Sequence, residues 1–180
     1  MSPIVTAVSS SARHTFSKDN KLTIRLIAGR GVQGDAHMGS RVRHRFDVSK
    51  KPHSFNLRQV HLIHEELLDE LQAEGFAVAP GTLGENITTR GLDLLALPQS
   101  TRLGLGPEAV VEITGLRAPC KQMHNYQKGL VAAVMARNTA GQRVSKAGVM
   151  AVVISSGDVQ AGDQIAVRLP VGKPHPLRHV

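Results

Sequence analysis

One cysteine, one tyrosine and no tryptophan occur in 180 residues, and no apolar run approaches the roughly 20 residues that a bilayer span requires. Each scarcity excludes something. The lone thiol, Cys120, cannot form an internal disulfide, and it cannot hold an iron–sulfur cluster, which needs several thiolates. Neither a basic nor an apolar segment follows Met1, so no secretory signal is expected and a reduced, cytoplasmic setting fits best. With only four phenylalanines beside the tyrosine, the chain offers few platforms on which unstacked bases could rest. The remaining composition, 41% apolar and 20% charged, is that of a soluble globular domain able to bury a core without staples.

Positive charge is what the chain has in excess. Twenty-two Lys and Arg face 14 Asp and Glu, a net +8, with nine histidines in reserve. That balance favours anionic partners such as nucleic acid, phosphorylated ligands or acidic proteins. Part of it is local. Arg41, Arg43, Arg45, Lys50 and Lys51 crowd one stretch (41–51) that has no clear period and reads as a loop, while Lys173 and Arg178 lie in a Pro-rich C-terminal stretch.

Runs rich in β-branched residues at 5–8, 23–27, 109–113, 149–154 and 164–169 read as strands bounded by turn residues. Ser156-Gly157-Asp158 with Ala161-Gly162-Asp163 resembles a closing hairpin. Two segments carry helical period. In one, Ile63, Leu67, Leu68 and Leu71 share a face and Gly75 supplies the stop. In the other, Leu130, Val131, Val134 and Met135 form a stripe ending near Asn138 and Gly141. Seventeen glycines spread along the chain suit sharply bent strands, so the expectation is a mainly β fold, a closed or partly closed barrel with a few inserted helices.

Four motifs bear on chemistry. Gly29-Arg30-Gly31-Val32-Gln33-Gly34 has the spacing of a dinucleotide fingerprint, but no helical period follows and Asp35 would set an anion beside the phosphates, so an anion-binding nest or a tight turn fits better. His61-Leu62-Ile63-His64-Glu65 matches neither spacing of the zinc proteases and reads as a histidine pair without metal. In the loop from Pro80 to Gly91, Asn86 could bond a heterocycle edge or, more commonly, backbone. Arg117-Ala118-Pro119-Cys120-Lys121-Gln122-Met123-His124 is the densest stretch: Arg117, Lys121 and His124 would favour the thiolate of a reactive or metal-bound cysteine, against the default of a small buried apolar residue.

Taken in order, Gly31-Val32-Gln33-Gly34-Asp35-Ala36-His37, Arg58-Gln59-Val60, Gly84-Glu85-Asn86-Ile87, Arg117-Ala118-Pro119-Cys120 and Gly162-Asp163-Gln164-Ile165 resemble a MOSC domain, the C-terminal domain of molybdenum-cofactor sulfurases, in its stand-alone bacterial form. The resemblance implies a barrel similar to the small barrel domain of pyruvate kinase, in one domain over residues 1–170 followed by an extended, basic, Pro-rich tail over 171–180. It also implies binding of the molybdenum cofactor, a pterin dithiolene ending in phosphate. In relatives similar to amidoxime reductases the motif cysteine ligates molybdenum and N-hydroxylated compounds are reduced; in sulfurase-like use the thiol carries sulfur. The pyridoxal-phosphate domain of full sulfurases has no room here, so pyridoxal phosphate is not expected.

On this reading Cys120 is the catalytic residue and metal ligand, or else the persulfide carrier. Gly34, Asp35, His37, Asn86, Arg117 and Lys121 are the cofactor-binding candidates. The partners are a small-molecule substrate and an external electron-donor or sulfur-donor protein, because no cluster motif or credible dinucleotide fingerprint is present to supply electrons. No membrane partner is expected. A basic barrel that binds nucleic acid without catalysis is the rival class, and the scarcity of aromatics argues against it.

Overall fold

Alternation along the strands decides which side chains enter the interior. In β8 (Ala109–Leu116), Ala109, Val111 and Ile113 are buried while Val110, Glu112 and Thr114 are half-exposed, the period-2 pattern of a sheet with one face inward. The computed structural model describes residues 2–41, 54–137, 141 and 143–180. The expected loop at 41–51 therefore lies, beyond Arg41, outside the described residues.

An eight-stranded sheet carries the fold, in the order β13-β7-β8-β11-β5-β6-β1-β2. Its members are β1 (Ile4–Ser10), β2 (Asp19–Lys21), β5 (Val60–His64), β6 (Ile87–Arg90), β7 (Arg102–Leu105), β8, β11 (Val149–Ser155) and β13 (Ile165–Arg168). Neighbours are antiparallel except β5 and β6, which run parallel. The far strand returns to β1: Val5 N–H donates to Asp163 O at 2.9 Å, Ile165 N–H to Pro3 O at 2.9 Å, and Ile4 bridges Gln164. A second sheet orders β12 (Gly157–Gln160), β3 (Thr23–Ile27) and β4 (Gly31–Val32), and β9 (Met135–Arg137) pairs with β10 (Arg143–Ser145). The fold is mainly β, with three helices among the described residues.

The strands enclose one core around Leu26, Leu62, Leu103, Leu105 and Val111. A second cluster lies outside the sheet, where α1 (Glu65–Ala73) sets Leu67, Leu68 and Leu71 against Val78, Leu83, Met123 and Leu130. Each fully buried leucine contributes about 1.5–3 kcal/mol relative to an exposed one. The end of α1 is a Schellman turn: Gly75 N–H donates to Gln72 O, Phe76 N–H donates to Leu71 O, and Gly75 takes φ +89°.

Three expectations change. Ile63 belongs to β5, not to the helix that follows it. The stripe from Leu130 forms only a single-turn helix, α3 (Leu130–Ala133), before Met135 opens the β9–β10 hairpin. Gly157 and Asp158 are not a turn of a closing hairpin. They lie in β12, which pairs with β3. In the Pro-rich C-terminal tail, Leu177 packs on the main core.

Candidate functional site

β8 ends at Leu116, and the chain then passes through Arg117 and Pro119 to Cys120, which caps the short helix α2 (Lys121–Tyr126). Arg117 N–H donates to Gly148 O at 3.0 Å, so the loop is anchored to the residue that precedes β11. Beside it opens a cavity of about 460 Å³, within the size range of small-molecule sites. Cys120 lines it together with Arg117, Arg58, Lys18, His37 and Asn86. The half-buried thiol lies 3.7 Å from Arg117 Nη2, and Arg117 Nη1 points at Met123 Sδ, 3.5 Å away. A charged donor thus stands beside the sulfur.

Asp35 is the hub behind the opposite wall. Its carboxylate, only 2% exposed, pairs with Lys18 Nζ at 2.8 Å. It also accepts from His37 N–H at 3.0 Å, His37 Nδ1 at 3.2 Å, Ser11 N–H at 3.3 Å and Asn86 Nδ2 at 3.1 Å. Burial alone would raise its pKa, but the bonds from His37 and the Lys18 ammonium outweigh burial and hold the carboxyl well below the usual carboxylate range. Burial in turn pushes the Lys18 ammonium down, with Asp35 opposing. The hub fixes what stands in front of it. His37 meets His14 edge-to-face, with ring centroids 4.9 Å apart, and both line the cavity.

Asn86 ties three segments together: its Oδ1 accepts from His61 N–H at 3.2 Å, and its Nδ2 donates to Ser9 O and to Asp35. Both amide protons are thus engaged inside the protein, and the side chain braces the wall. Its neighbour Glu85 is fully buried. Oε1 accepts from Gly81 N–H at 2.6 Å, Oε2 has no partner among the described residues, and burial pushes the carboxyl up.

Of the residues expected from sequence, Cys120, Arg117, His37 and Asn86 meet at the cavity, with Asp35 directly behind. Gly34 and Lys121 are exposed and stand outside its lining. Gly34, at φ +76° with open space beside it, serves the turn after β4. The set lacked Lys18, Arg58, His14 and His61. Lys18 stands in a polar stretch with no pattern, and only the fold carries it to Asp35. His61 was visible as half of a histidine pair. Its Nε2–H donates to Ala147 O at 2.7 Å, and no metal-holding group of His, Cys, Asp or Glu exists among the described residues.

A family model for the MOSC domain matches residues 49–166. The chain belongs to the MOSC domain family. Solved structures agree on the fold. The YuaD protein from Bacillus subtilis aligns with a TM-score of 0.72 at 24% identity, over 93% of this MOSC chain and 96% of its own. YiiM from Escherichia coli aligns at 0.63 and 20% identity, over 97% of this chain and 73% of its own. YiiM from Geobacillus stearothermophilus gives 0.64 at 15%, over 92% and 75%. No curated protein matches the sequence. The MOSC match takes in Arg58, Asn86, Arg117 and Cys120; Lys18, Asp35 and His37 precede it.

Proposed function

We propose that this MOSC protein binds the molybdenum cofactor in the cavity beside Cys120 and reduces N-hydroxylated compounds there. One observation carries the reading: the only thiol of a MOSC chain opens into a cavity with a guanidinium 3.7 Å from the sulfur. The donor set fits the group. A soft thiolate suits a metal already held by dithiolene sulfur, and Lys18, Arg58 and Arg117 offer positive charge to a ligand that ends in phosphate. When bound, the cofactor supplies the two-electron chemistry that breaks an N–O bond.

The chain's own residues bind and orient. Cys120 would hold the metal, and Arg117, which donates to its sulfur, would face the cofactor's anionic part. Asp35 and Asn86 would keep His37 and Lys18 in place. The hydroxylamine oxygen leaves as water, with protons from the site or solvent and electrons from an external redox protein. Supporting closure of the strands into a full barrel are the bonds from the start of β1 to the turn before β13; such closure would give the cavity a rigid rim.

Metal analysis of protein from a cofactor-competent host tests the reading. The expected result is bound molybdenum and a pterin that fluoresces after oxidation, with Cys120→Ser abolishing N-hydroxyl reduction and altering the metal's spectrum. Metal-free protein from a host that loads a control molybdoenzyme overturns it. Persulfide on Cys120, with no reductase activity, assigns the thiol to sulfur transfer instead.

A further inference from the structure

The last six residues take a position that the reading above does not use. Leu116 N–H donates to Arg178 O at 2.8 Å, Val180 N–H donates back to Leu116 O at 3.3 Å, and Leu116 forms a parallel bridge with His179. Upstream, Gln99 N–H donates to His175 O at 2.9 Å. Residues 175–180 therefore form a strap along the end of β8, the strand that delivers Arg117 and Cys120. Within the strap, Val180 joins the lining of the cavity.

Gly115 records how close this contact is. A Cβ at that position would collide with Arg178 O and come within 2.7 Å of Val180 Cγ1. Glycine weakens a strand interior, and here the missing side chain is the space in which the strap lies. The Arg117–Cys120 loop is thereby held on two sides, by Gly148 O on the β11 side and by the strap on the other.

We infer that Val180, held in place by the strap 175–180, forms part of the cavity wall and sets how wide a molecule can reach Cys120. A β-branched side chain is stiff at χ1, so Val180 presents a fixed apolar edge rather than a yielding one. Phe16 and Met150 also line the cavity, together with the cations Lys18, Arg58 and Arg117.

The inference rests on the cavity being the site of the proposed chemistry, but its test needs neither cofactor nor electrons. Cys120 is the chain's only thiol, so any thiol reagent reads this position alone. The purified chain is treated with a small methanethiosulfonate and, separately, with fluorescein maleimide, in wild type, Val180→Ala, Val180→Trp and Gly115→Ala forms. Val180→Ala should raise the bulky-reagent rate several-fold with little change for the small one, and Val180→Trp should lower it several-fold. Gly115→Ala, which pushes the strap outward, should act like Val180→Ala. A bulky-to-small ratio that stays flat across the two Val180 variants overturns the inference, whether or not Gly115→Ala folds. Protein that carries no molybdenum yet shows the Val180 dependence overturns the proposed function and leaves this inference standing; loaded protein with a flat ratio does the reverse.

Discussion

His61 stands inside β5 with its Nε2–H on the Ala147 carbonyl, and its protonation couples the site to stability. Burial, then the charges of Arg117 and Lys18, hold its pKa well below the ordinary histidine value. The unfolded chain therefore binds a proton that the folded chain refuses. Stability from this group is complete above the unfolded value, about 6.5, and is lost as pH falls through it, at up to about 1.4 kcal/mol per pH unit for one proton. Asp35 adds a second loss only below about 3.9, where its carboxyl protonates in the unfolded chain. Urea midpoints measured from about pH 8 down to about pH 5 should fall, and His61→Gln should flatten that slope even if it lowers the starting value. An unchanged slope in the variant removes His61 from the account. The contrast in legibility is physical. Cys120 could be read because its cations are sequence neighbours, whereas Lys18 meets Asp35 across 17 positions of chain, through folding alone.

Two glycines at the ends of elements make different demands, and the difference can be measured. Gly75 closes α1 at φ +89° with nothing within 4 Å of an added Cβ, so its demand is conformational. Gly157, at the start of β12, would place a Cβ 2.5 Å from Ala109 N and 2.9 Å from Ala109 Cα, so its demand is for space. Gly75→Ala should cost about 1–2 kcal/mol, and Gly75→Asn less, because asparagine tolerates the left-handed region. At Gly157 the order should invert, with asparagine worse than alanine, because the larger side chain forces the two strands further apart. Thermal denaturation of the four variants checks both orders, and one common order at the two sites refutes the distinction. The same difference explains which elements the sequence revealed. Helix α1 was legible because Leu67, Leu68 and Leu71 keep a 3.6-residue period and Gly75 stops it. The segment 157–160 was read as part of a turn because its partner, β3, lies more than a hundred residues earlier. The stripe at 130–135 holds only one helical turn, because Met135 pairs with Ser145 in β10.

Across the whole molecule the net +8 is not presented as one stripe among the described residues. Lys18 is turned inward, its side chain 5% exposed, and Arg58 and Arg117 line the cavity. Outside, Arg90 is shared between Glu65 and Asp69, Arg102 pairs with Glu112, and Lys146 pairs with Glu70. Exposed Phe and Tyr rings among the described residues are limited to Phe55 and Tyr126, and the Tyr126 hydroxyl is bonded to Ala77 O. No sheet face among the described residues therefore offers a row of Phe or Tyr platforms on which single strands stack, and Arg90, Arg102 and Lys146, already paired with carboxylates, would release few counterions from a phosphate backbone. Composition alone pointed at an anionic partner without saying which kind; under the proposed function, Lys18, Arg58 and Arg117 at the cavity are where a small anionic partner would bind. Binding to random-sequence duplex or single-stranded DNA at physiological salt should accordingly be no tighter than the ordinary non-specific range, about 10⁻⁴ to 10⁻⁶ M. Fluorescence anisotropy across a salt series measures this, with phosphate-bearing pterin as the competitor. Sub-micromolar binding with a steep salt slope, undisturbed by the pterin, would place the functional surface outside the cavity and make this MOSC chain a nucleic-acid binder.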